Sequence, residues 1–281
     1  MRLEISSFKR IVVLTGAGIS AESGISTFRD SGGLWENHRI EDVATPEAFL
    51  ADPCLVWRFY SMRRHAAVKA APNAGHRALA DFAAQCAQNG IEFTLVTQNV
   101  DALHERARTS TPRCDIKLCE VLAMHGTLPH SRCVRCNTQW SDPTAWFNGA
   151  GAPLVTTYPE FAALAAGLNP IKPDTTRRDS LQIPMSPCCQ ARLRPHIVWF
   201  GEMPLHMDRI QTRLAECDLF LTIGTSGQVY PASGFLEQAK FAGATTACLN
   251  KEPIPQQAMV DFYFEGRATQ TVPRIFQTRR V

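Results

Sequence analysis

The chain has 281 residues and a formal net charge of +3 at pH 7, so it is long enough to bury a substantial core and is only mildly basic. Its 45% hydrophobic and 20% charged residues are ordinary for a globular protein. The sequence contains neither a long basic tract nor a run of roughly 18 apolar residues. We therefore expect no direct nucleic-acid partner and no membrane partner.

The N-terminal segment places Glu4 ahead of an apolar run at residues 11–15, which has the length of a strand rather than of a signal core. Since no targeting segment is recognisable, we expect a protein of the cytoplasm or the mitochondrial matrix. The chain has ten cysteines, and without an export signal close cysteine pairs point to metal before disulfides.

A glycine-rich turn follows the first predicted strand. Residues 16–21 read GAGISA, the G-x-G-x-x-A form of a dinucleotide-binding turn. In such turns the glycines let the backbone approach a pyrophosphate, and the N-terminus of the next helix offers N–H groups to it. The pattern predicts a nucleotide site, with a plain strand-to-helix turn as the alternative.

The rest of the dehydrogenase fingerprint is missing. A dehydrogenase would place a ribose-binding acid about 20 residues later, at the end of a second strand. Here that region reads STFRDSGGLWENHR and is predicted to be a loop. Within it, Arg29 could pair with phosphate and Phe28 could cover a cofactor ring, or they are a surface arginine and a core phenylalanine.

Three further apolar runs, at residues 91–97, 219–223 and 245–249, read as buried parallel strands. Helical patterns at residues 73–90 and 231–244 alternate with them. This alternation predicts the α/β class, with a Rossmann-like parallel sheet.

Two stretches interrupt the alternation of strands and helices. We expect a helical insertion at about 31–72 and, because cysteine, proline and glycine are frequent there, a small zinc-binding lobe at about 127–195. The large Rossmann-like lobe then comprises about 1–30, 73–126 and 196–281.

Polar residues cluster after apolar segments. Gln98, Asn99, Asp101 and His104 lie within seven residues after one predicted strand, and His125 follows another apolar segment. Such residues are costly to bury unless something polar faces them. Ligands bind at the carboxyl ends of parallel strands, so the cluster predicts part of a binding site.

These motifs together resemble the sirtuins, the NAD-dependent protein deacylases. GAGISAESGISTFR, TQNVDALH, HG, CVRC, RPHIVWFGE, GTSGQVYPA and LNKE occur in the order found in that family, from about residue 8 to residue 268. The resemblance implies that the nicotinamide–ribose bond of NAD is broken and that the acyl oxygen of a modified lysine attacks the ribose. It implies acyl-lysine proteins or peptides as partners, and nicotinamide, free lysine and 2′-O-acyl-ADP-ribose as products. We expect a monomer.

The resemblance also assigns roles to individual residues. His125 matches the histidine that takes a proton from a ribose hydroxyl, a task that suits an imidazole because its ordinary pKa lies close to working pH. Asn99 and Asp101 match positions around the nicotinamide pocket and complete the predicted catalytic set, whereas His104 could simply brace the loop. The predicted NAD contacts are Gly16, Ala17, Gly18, Ser20, Ala21, Phe28, Arg29, Trp35, Gln98, Asn99, Val100, Asp101, His125, Gly224, Thr225, Ser226, Asn250, Lys251, Glu252 and Ala268.

Four cysteines are predicted to hold one structural zinc ion. Cys133 and Cys136 have the two-residue gap of a zinc knuckle. The second pair should precede RPHIVWFGE, where the cysteines are the adjacent Cys188 and Cys189, although the family usually separates them by two to four residues. Four thiolates leave no open position for chemistry. The long segment between the pairs suggests an extra loop or helix.

Tyr60 and Arg63 stand three apart in VWRFYSMRRH and share one face if this segment is helical. A phenol and a guanidinium together can bind a carboxylate, whereas the alternative is a packed tyrosine beside a solvated arginine. The stretch resembles the Tyr-x-x-Arg signature of class III sirtuins, which remove succinyl, malonyl and glutaryl groups. The resemblance therefore implies a preference for dicarboxylic acyl groups over acetyl.

The substrate peptide is expected to lie extended beside the VWFGE segment, adding a strand through backbone hydrogen bonds. The residues predicted to contact it there are Val198, Trp199, Phe200, Gly201 and Glu202.

A deacetylase of broad specificity and a mono-ADP-ribosyltransferase are the alternative activities. A non-catalytic NAD sensor need not retain His125, and a dehydrogenase is excluded because the ribose-binding acid is absent.

Overall fold

The computed structural model describes residues 3–26, 38–109, 119–141, 183 and 185–276. Phe28, Arg29 and Trp35, and most of the segment between the two cysteine pairs, lie outside these residues. The chain divides into two units. The first comprises Met1–Asp30, Ala70–His125 and Pro204–Val281, and the second comprises Ser31–Lys69 and Gly126–Met203.

The described strands are β1 (Arg10–Thr15), β2 (Glu92–Thr97), β3 (Cys119–Ala123), β4 (Gly126–Cys133), β5 (Gln139–Ser141), β6 (Leu193–Ile197), β7 (Leu219–Ile223), β8 (Thr245–Asn250) and β9 (Phe262–Glu265). The described α-helices are α1 (Ile40–Val43), α2 (Pro46–Ala51), α3 (Pro53–Lys69), α4 (Ala74–Gln88), α5 (Leu103–Thr109), α6 (Met207–Glu216), α7 (Phe235–Phe241) and α8 (Ala268–Phe276). Within these helices none combines the length and apolar character needed to cross a membrane.

The first unit is built on a six-stranded sheet in the order β3-β2-β1-β7-β8-β9, and all its neighbouring strands are parallel. The strand order reverses between β1 and β7, which is the Rossmann arrangement. The predicted fold class is confirmed. The four predicted strands are present with their ends shifted by at most one residue, while β3 and β9 were not predicted.

Both faces of this sheet are covered, which is why its strands read as continuous apolar runs. Successive side chains of a strand point to opposite faces. Accordingly, Ile11 and Val13 pack in a core with residues of α4 and α8. Val12 and Leu14 pack in a second core with residues of α6 and α7.

Helix α4 starts and ends where the sequence predicts. The side chain of Asn73 accepts a hydrogen bond from the backbone N–H of Gly75 (2.9 Å), and Nδ1 of His76 accepts one from the N–H of Asn73 (3.3 Å). Together they form a capping box. Gly90, just beyond the helix, has φ of +65°, a conformation that favours glycine.

The second unit contains an antiparallel sheet in the order β5-β4-β6 and the helices α1 to α3. Helix α3 is attached to this sheet by buried polar side chains. Trp57 donates from Nε1 to the carbonyl of Leu193 in β6 (3.0 Å). Arg64 donates to the carbonyls of Leu128 and His130 in β4. The helical segment and the cysteine-bearing sheet therefore belong to one unit.

Candidate functional site

Five parallel strands of the first unit end at one level of the sheet. Thr97 of β2 pairs with Ala123 of β3 and with Thr15 of β1, and Thr15 pairs in turn with Ile223 of β7. Ile223 pairs with Leu249 of β8. The residues that follow these strand ends therefore lie side by side along the carboxyl edge. They include the predicted Gly16, Gln98, His125 and Gly224, beside Asn250, the last residue of β8.

Gly16 and Gly18 pack directly on the turn after β7. The N–H of Gly16 donates to the carbonyl of Ile223 (3.0 Å), and the N–H of Gly18 donates to that of Gly224 (2.8 Å). A Cβ at Gly18 would lie 2.7 Å from Cα of Gly224, and Gly224 itself has φ of +60°. Larger residues do not fit, so the glycines allow the two turns to pack backbone against backbone.

The helix N-terminus expected after the glycine turn is not an α-helix in the structure. The 3-10 turns Ala17–Ile19 and Ala21–Ser23 take its place. At the N-terminus of an α-helix the N–H of Gly18 would have no partner in the helix. Here it donates to the carbonyl of Gly224. Gly24 then ends the second turn with φ of +85°.

Asn99 is held in one orientation by the glycine turn. Its Nδ2 donates to the carbonyl of Gly16 (3.0 Å) and to Oγ of Ser20 (3.1 Å), and its backbone N–H donates to Oγ1 of Thr97 (3.0 Å). Since both amide hydrogens are used, the amide oxygen Oδ1 is the polar atom of this side chain that is left for a ligand.

Gln98 and Asn250 connect the loops after β2, β7 and β8. Nε2 of Gln98 donates to Oγ1 of Thr225 (3.1 Å). Nδ2 of Asn250 donates to the carbonyls of Thr225 and Glu252, both at 2.9 Å. The structure thus links predicted residues that are more than 120 positions apart in the chain, such as Gln98 and Thr225.

His125 lies between β3 and β4, and its Nδ1 is 3.0 Å from the carbonyl oxygen of Gln98. Because a carbonyl can only accept, Nδ1 carries the proton and Nε2 keeps the basic lone pair. Burial lowers the pKa of His125 below its ordinary value of 6.5, while the hydrogen bond to Gln98 opposes this shift. The ring is therefore neutral at pH 7, which is the state that a general base requires.

Asp101 caps a helix. Its Oδ1 accepts a hydrogen bond from the N–H of Leu103 (2.9 Å), the first residue of α5, and the residue is buried. Ala102 between them has φ of +60°. One oxygen of this predicted catalytic carboxylate thus has a structural role.

A buried polar network lies behind the loop. Nε2 of His104 is 3.0 Å from Oγ1 of Thr15, which donates to Oγ1 of Thr97 (2.8 Å). The ring of His104 contacts that of His76 at 4.7 Å between centroids, and Nε2 of His76 is 3.4 Å from Oγ of Ser20. Burial lowers the pKa of His76 to about 4 and that of His104 well below 6.5. These contacts support the alternative that His104 braces the loop.

The other predicted NAD contacts that the structure describes lie in several parts of the first unit. Ala17 and Ala21 lie in the 3-10 turns, and Val100 and Ser226 are half-buried. Lys251 and Glu252 are exposed, and Ala268 is the buried first residue of α8. Phe28, Arg29 and Trp35 lie outside the described residues.

The structure brings the four predicted cysteines together. Sγ of Cys136 lies 3.0 Å from Sγ of Cys188, and Sγ of Cys133 lies 3.3 Å from Sγ of Cys189. All four sulfur atoms lie within 4.8 Å of one another. Thiolates around a zinc ion at about 2.3 Å stand about 3.8 Å apart, so the number, type and spacing of donors fit a structural zinc ion.

A tight turn lets adjacent cysteines face the same centre. The N–H of Ser186 donates to the carbonyl of Ala191 (2.7 Å), and the N–H of Gln190 donates to that of Ser186 (2.9 Å). Gln190 has φ of +55°. This turn replaces the wider spacing that is usual in the family.

Tyr60 lies in α3, which confirms that this segment is helical, so Tyr60 and Arg63 share a face. Tyr60 is 1% exposed, and its hydroxyl accepts a hydrogen bond from Nε1 of Trp199 (3.0 Å). Burial raises the pKa of Tyr60, whereas the positive charge of Arg63 opposes this. The guanidinium of Arg63 lies 5.9 Å from the centroid of the Phe59 ring.

Glu202, predicted to contact the peptide, fixes its own loop. Its carboxylate accepts hydrogen bonds from Arg194 (2.6 and 2.9 Å), from Arg132 (3.0 Å) and from the N–H of Trp199 (2.9 Å). Burial alone would raise the pKa of Glu202, but these bonds and charges hold it below its usual value. Phe200 is the exposed side chain of this loop, at 48%.

Comparison with known proteins decides the family. The model of the Sir2 family matches residues 16–231. The chain belongs to the Sir2 family.

Similar proteins are found in several bacteria. An NAD-dependent protein deacylase of Pasteurella multocida (strain Pm70) is 44% identical over 268 residues, which cover 94% of this chain and 95% of that protein. An NAD-dependent protein deacylase of Escherichia coli (strain K12) is 43% identical over 272 residues, which cover 95% and 81%.

Solved structures of Sir2 homologues resemble this one. A crystal structure of a Sir2 homologue with NAD has a TM-score of 0.74 and 32% identity, covering 97% of this chain and 90% of that chain. A mutant Sir2 homologue in complex with ADP-ribose has a TM-score of 0.75 and 31% identity, covering 97% and 92%.

Sequence reasoning missed several side chains that hold the site of this Sir2-family chain. Thr15 and His76 belong to the network behind Asn99, and Arg64 and Arg194 fix α3 and the loop at residues 198–202. Thr15 directly precedes the glycine turn and His76 lies in the predicted helix at 73–90, whereas Arg64 and Arg194 stand inside VWRFYSMRRH and RPHIVWFGE. A polar residue inside an otherwise buried strand or helix was the signal available for them.

Proposed function

We propose that this protein is an NAD-dependent protein-lysine deacylase that prefers succinyl, malonyl and glutaryl groups over acetyl. Its products would be nicotinamide, free lysine and 2′-O-acyl-ADP-ribose. Membership in the Sir2 family and the similarity to proteins named NAD-dependent protein deacylases support the activity. The observation that carries it is the hydrogen bond between Nδ1 of His125 and the carbonyl of Gln98, which leaves Nε2 as the basic nitrogen at the same sheet edge as the glycine turns.

The residues at the carboxyl edge fit a dinucleotide. Gly16, Gly18 and Gly224 let the turns after β1 and β7 pack backbone against backbone, where a Cβ would collide, and these turns stand at the sheet edge where a dinucleotide-binding turn holds a pyrophosphate. When bound, NAD supplies a cleavable nicotinamide–ribose bond and the ribose hydroxyls. Asn99, with Nδ2 already bonded to Gly16 and Ser20, presents Oδ1, whose partial negative charge suits the positive charge that develops on the ribose.

His125 acts as the general base. Nε2 takes the proton from a ribose hydroxyl, because Nδ1 already donates to Gln98. The carbonyl of Gln98 stabilises the imidazolium that forms, and it keeps the ring in the productive tautomer. Since the pKa of His125 is lowered by burial, the base stays available at neutral pH.

The acyl preference rests on Tyr60 and Arg63. A phenol can donate to a carboxylate and a guanidinium can bind one in a forked pair, and the two side chains share one face of α3. Arg64, the next residue, is committed to the carbonyls of Leu128 and His130. Arg63 is the arginine that matches the Tyr-x-x-Arg signature, so we assign it to the substrate. An acetyl group offers no charge to it.

The test compares acetyl-, malonyl-, succinyl- and glutaryl-lysine peptides of one sequence with NAD, and identifies nicotinamide and the O-acyl product by mass. Arg63→Met should lower kcat/KM for the succinyl peptide by about 100-fold or more, because it removes one partner of a charge pair. Deacetylation should change much less. Met62→Ala, an exposed position in the same helix, is the matched control and should leave both activities unchanged.

Three outcomes would contradict the proposal. Equal losses of both activities in Arg63→Met would mean that Arg63 does not select the acyl group. Equal rates of the unmodified protein on acetyl and succinyl peptides would favour a deacetylase of broad specificity. Transfer of label from NAD to protein, without an O-acyl product, would favour a mono-ADP-ribosyltransferase.

A further inference from the structure

The 3-10 turns at residues 17–23 leave a buried carbonyl without the partner that an α-helix would give it. In an α-helix the carbonyl of Ile19 would accept the N–H of Ser23, four residues later. Here that N–H donates to the carbonyl of Ser20 at 2.9 Å. Because Ile19 is fully buried, its carbonyl requires a donor from elsewhere in the protein.

Asn73, the N-cap residue of α4, supplies that donor. Its Nδ2 lies 2.7 Å from the carbonyl oxygen of Ile19 and 3.0 Å from Oγ of Ser23, so both amide hydrogens are directed at the 3-10 turns. Its Oδ1 accepts from the N–H of Gly75 (2.9 Å) and begins the helix. The two polar atoms of one amide thus have separate tasks: the oxygen caps α4, and the nitrogen holds the turns.

The carbonyl of Ile19 stands between two predicted NAD contacts. Gly18 precedes it, and the N–H of Gly18 donates to the carbonyl of Gly224 (2.8 Å). Ser20 follows it, and the Oγ of Ser20 accepts from Nδ2 of Asn99 (3.1 Å). A shift of the Ile19 carbonyl would therefore move the glycine turn and the partner of Asn99 together. A binding site tolerates shifts of only about 0.5 Å in its groups.

We propose that Asn73 is a positioning residue for the dinucleotide: its Nδ2 fixes the glycine turn through Ile19 and Ser23 and thereby sets the affinity for NAD. This role is separate from capping α4. The inference rests on the proposed function and deepens it, because it adds to the NAD site a residue outside the predicted contacts. The donating nitrogen is what distinguishes asparagine from serine and aspartate, which cap helices equally well.

The test is Asn73→Asp, which keeps an oxygen for the cap but replaces the donating NH2 by a second acceptor facing the carbonyl of Ile19. Isothermal titration calorimetry measures the binding of ADP-ribose, which carries the pyrophosphate and lacks the cleavable bond. Its Kd should rise at least about tenfold, because a hydrogen bond to a buried carbonyl is lost and two acceptors meet. Asn73→Ser, which caps without the NH2 and adds no charge, should raise Kd about fivefold.

Asn89→Asp is the matched control. Asn89 directly follows α4 and is exposed, and its Nδ2 donates to the carbonyl of Gln85 (2.8 Å). The change removes the same kind of donor at the other end of the same helix. It should leave the Kd of ADP-ribose within about twofold. Far-UV circular dichroism and melting temperatures of all variants are measured in parallel.

The outcomes separate this inference from the proposed function. If the unmodified protein binds ADP-ribose and the folded Asn73 variants bind it equally well, Asn73 only caps α4, and the proposed function stands without the inference. If neither Asn73 variant folds, the contact serves the whole fold and the inference also fails. If the unmodified protein neither binds ADP-ribose nor releases nicotinamide from NAD, the proposed function fails, and the inference with it. A higher Kd in folded Asn73→Asp and Asn73→Ser, absent from Asn89→Asp, supports the inference.

Discussion

At the scale of single residues, His76, His104 and His125 share a lowered pKa but differ in their partners. Nδ1 of His125 donates to a carbonyl, which leaves Nε2 as a base. His76 and His104 use their ring nitrogens to hold Ser20, Asn73 and Thr15. Burial is the largest cause of the shift in all three. Hydrogen-bond partners, rather than pKa alone, therefore distinguish the base from its supports.

The buried His76 makes stability depend on pH. Its pKa is about 4 in the folded protein and 6.5 as the ordinary value, so between these pH values the unfolded chain binds more protons. Its contribution is complete above pH 6.5 and is lost as pH falls towards 4. At pH 5 the free energy of unfolding should be about 2 kcal/mol lower than at pH 7.5 from this residue alone.

Urea unfolding followed by circular dichroism at several pH values measures this loss. In His76→Gln the decrease between pH 7.5 and pH 5 should be smaller than in the unmodified protein. The same decrease in both proteins would show that His76 is not held neutral by the fold.

At the scale of helices and strands, the sequence predicted where a helix begins and ends but not which residues its side chains contact. The periodicity and caps of α4 are local properties, so its ends could be read from residues 73–90. In α3 the pattern gives a helix but does not tell Arg63 from Arg64, because the carbonyls that bind Arg64 belong to β4, more than 60 residues away. The 3-10 turns after Gly16 were missed for a similar reason, since they depend on contact with Gly224.

The turn at residues 186–191, which carries Cys188 and Cys189, allows the zinc site to be tested. Cys188 is adjacent to Cys189 and completes the cluster only because of the turn at residues 186–191. We expect one zinc ion per chain by atomic emission, and we expect Cys188→Ser to lose most of it and to melt at a lower temperature. Ser186→Ala is the control, because its hydroxyl, 2.7 Å from Sγ of Cys188, is not counted among the ligands.

A chain without zinc, or a Cys188→Ser variant that keeps a full equivalent, would contradict this assignment. A loss of zinc in Ser186→Ala would mean that the hydroxyl helps to hold the metal. A chelator should lower the melting temperature of the unmodified protein and leave that of Cys188→Ser unchanged.

At the scale of the whole molecule, the predicted parallel sheet explains why distant motifs belong together. Four strands were recognisable because burial on both faces makes them apolar throughout. Strand β9, at the edge of the sheet, is only half-buried, and its sequence FYFE carries no such pattern. The carboxyl edge could therefore be predicted, but the hydrogen bonds along it could not, because they depend on strand order and register.

The central claim is that His125 serves as the base of an NAD-dependent deacylase. It is tested most directly by measuring the exchange of labelled nicotinamide into NAD and the release of free lysine from a succinyl-lysine peptide, for the unmodified protein and for His125→Ala. In the mechanism that we propose, the base is needed only after nicotinamide has left. We therefore predict that His125→Ala keeps the exchange and loses at least about 100-fold in lysine release. Lysine release at the unmodified rate in His125→Ala, or no nicotinamide exchange in the unmodified protein, would contradict the account.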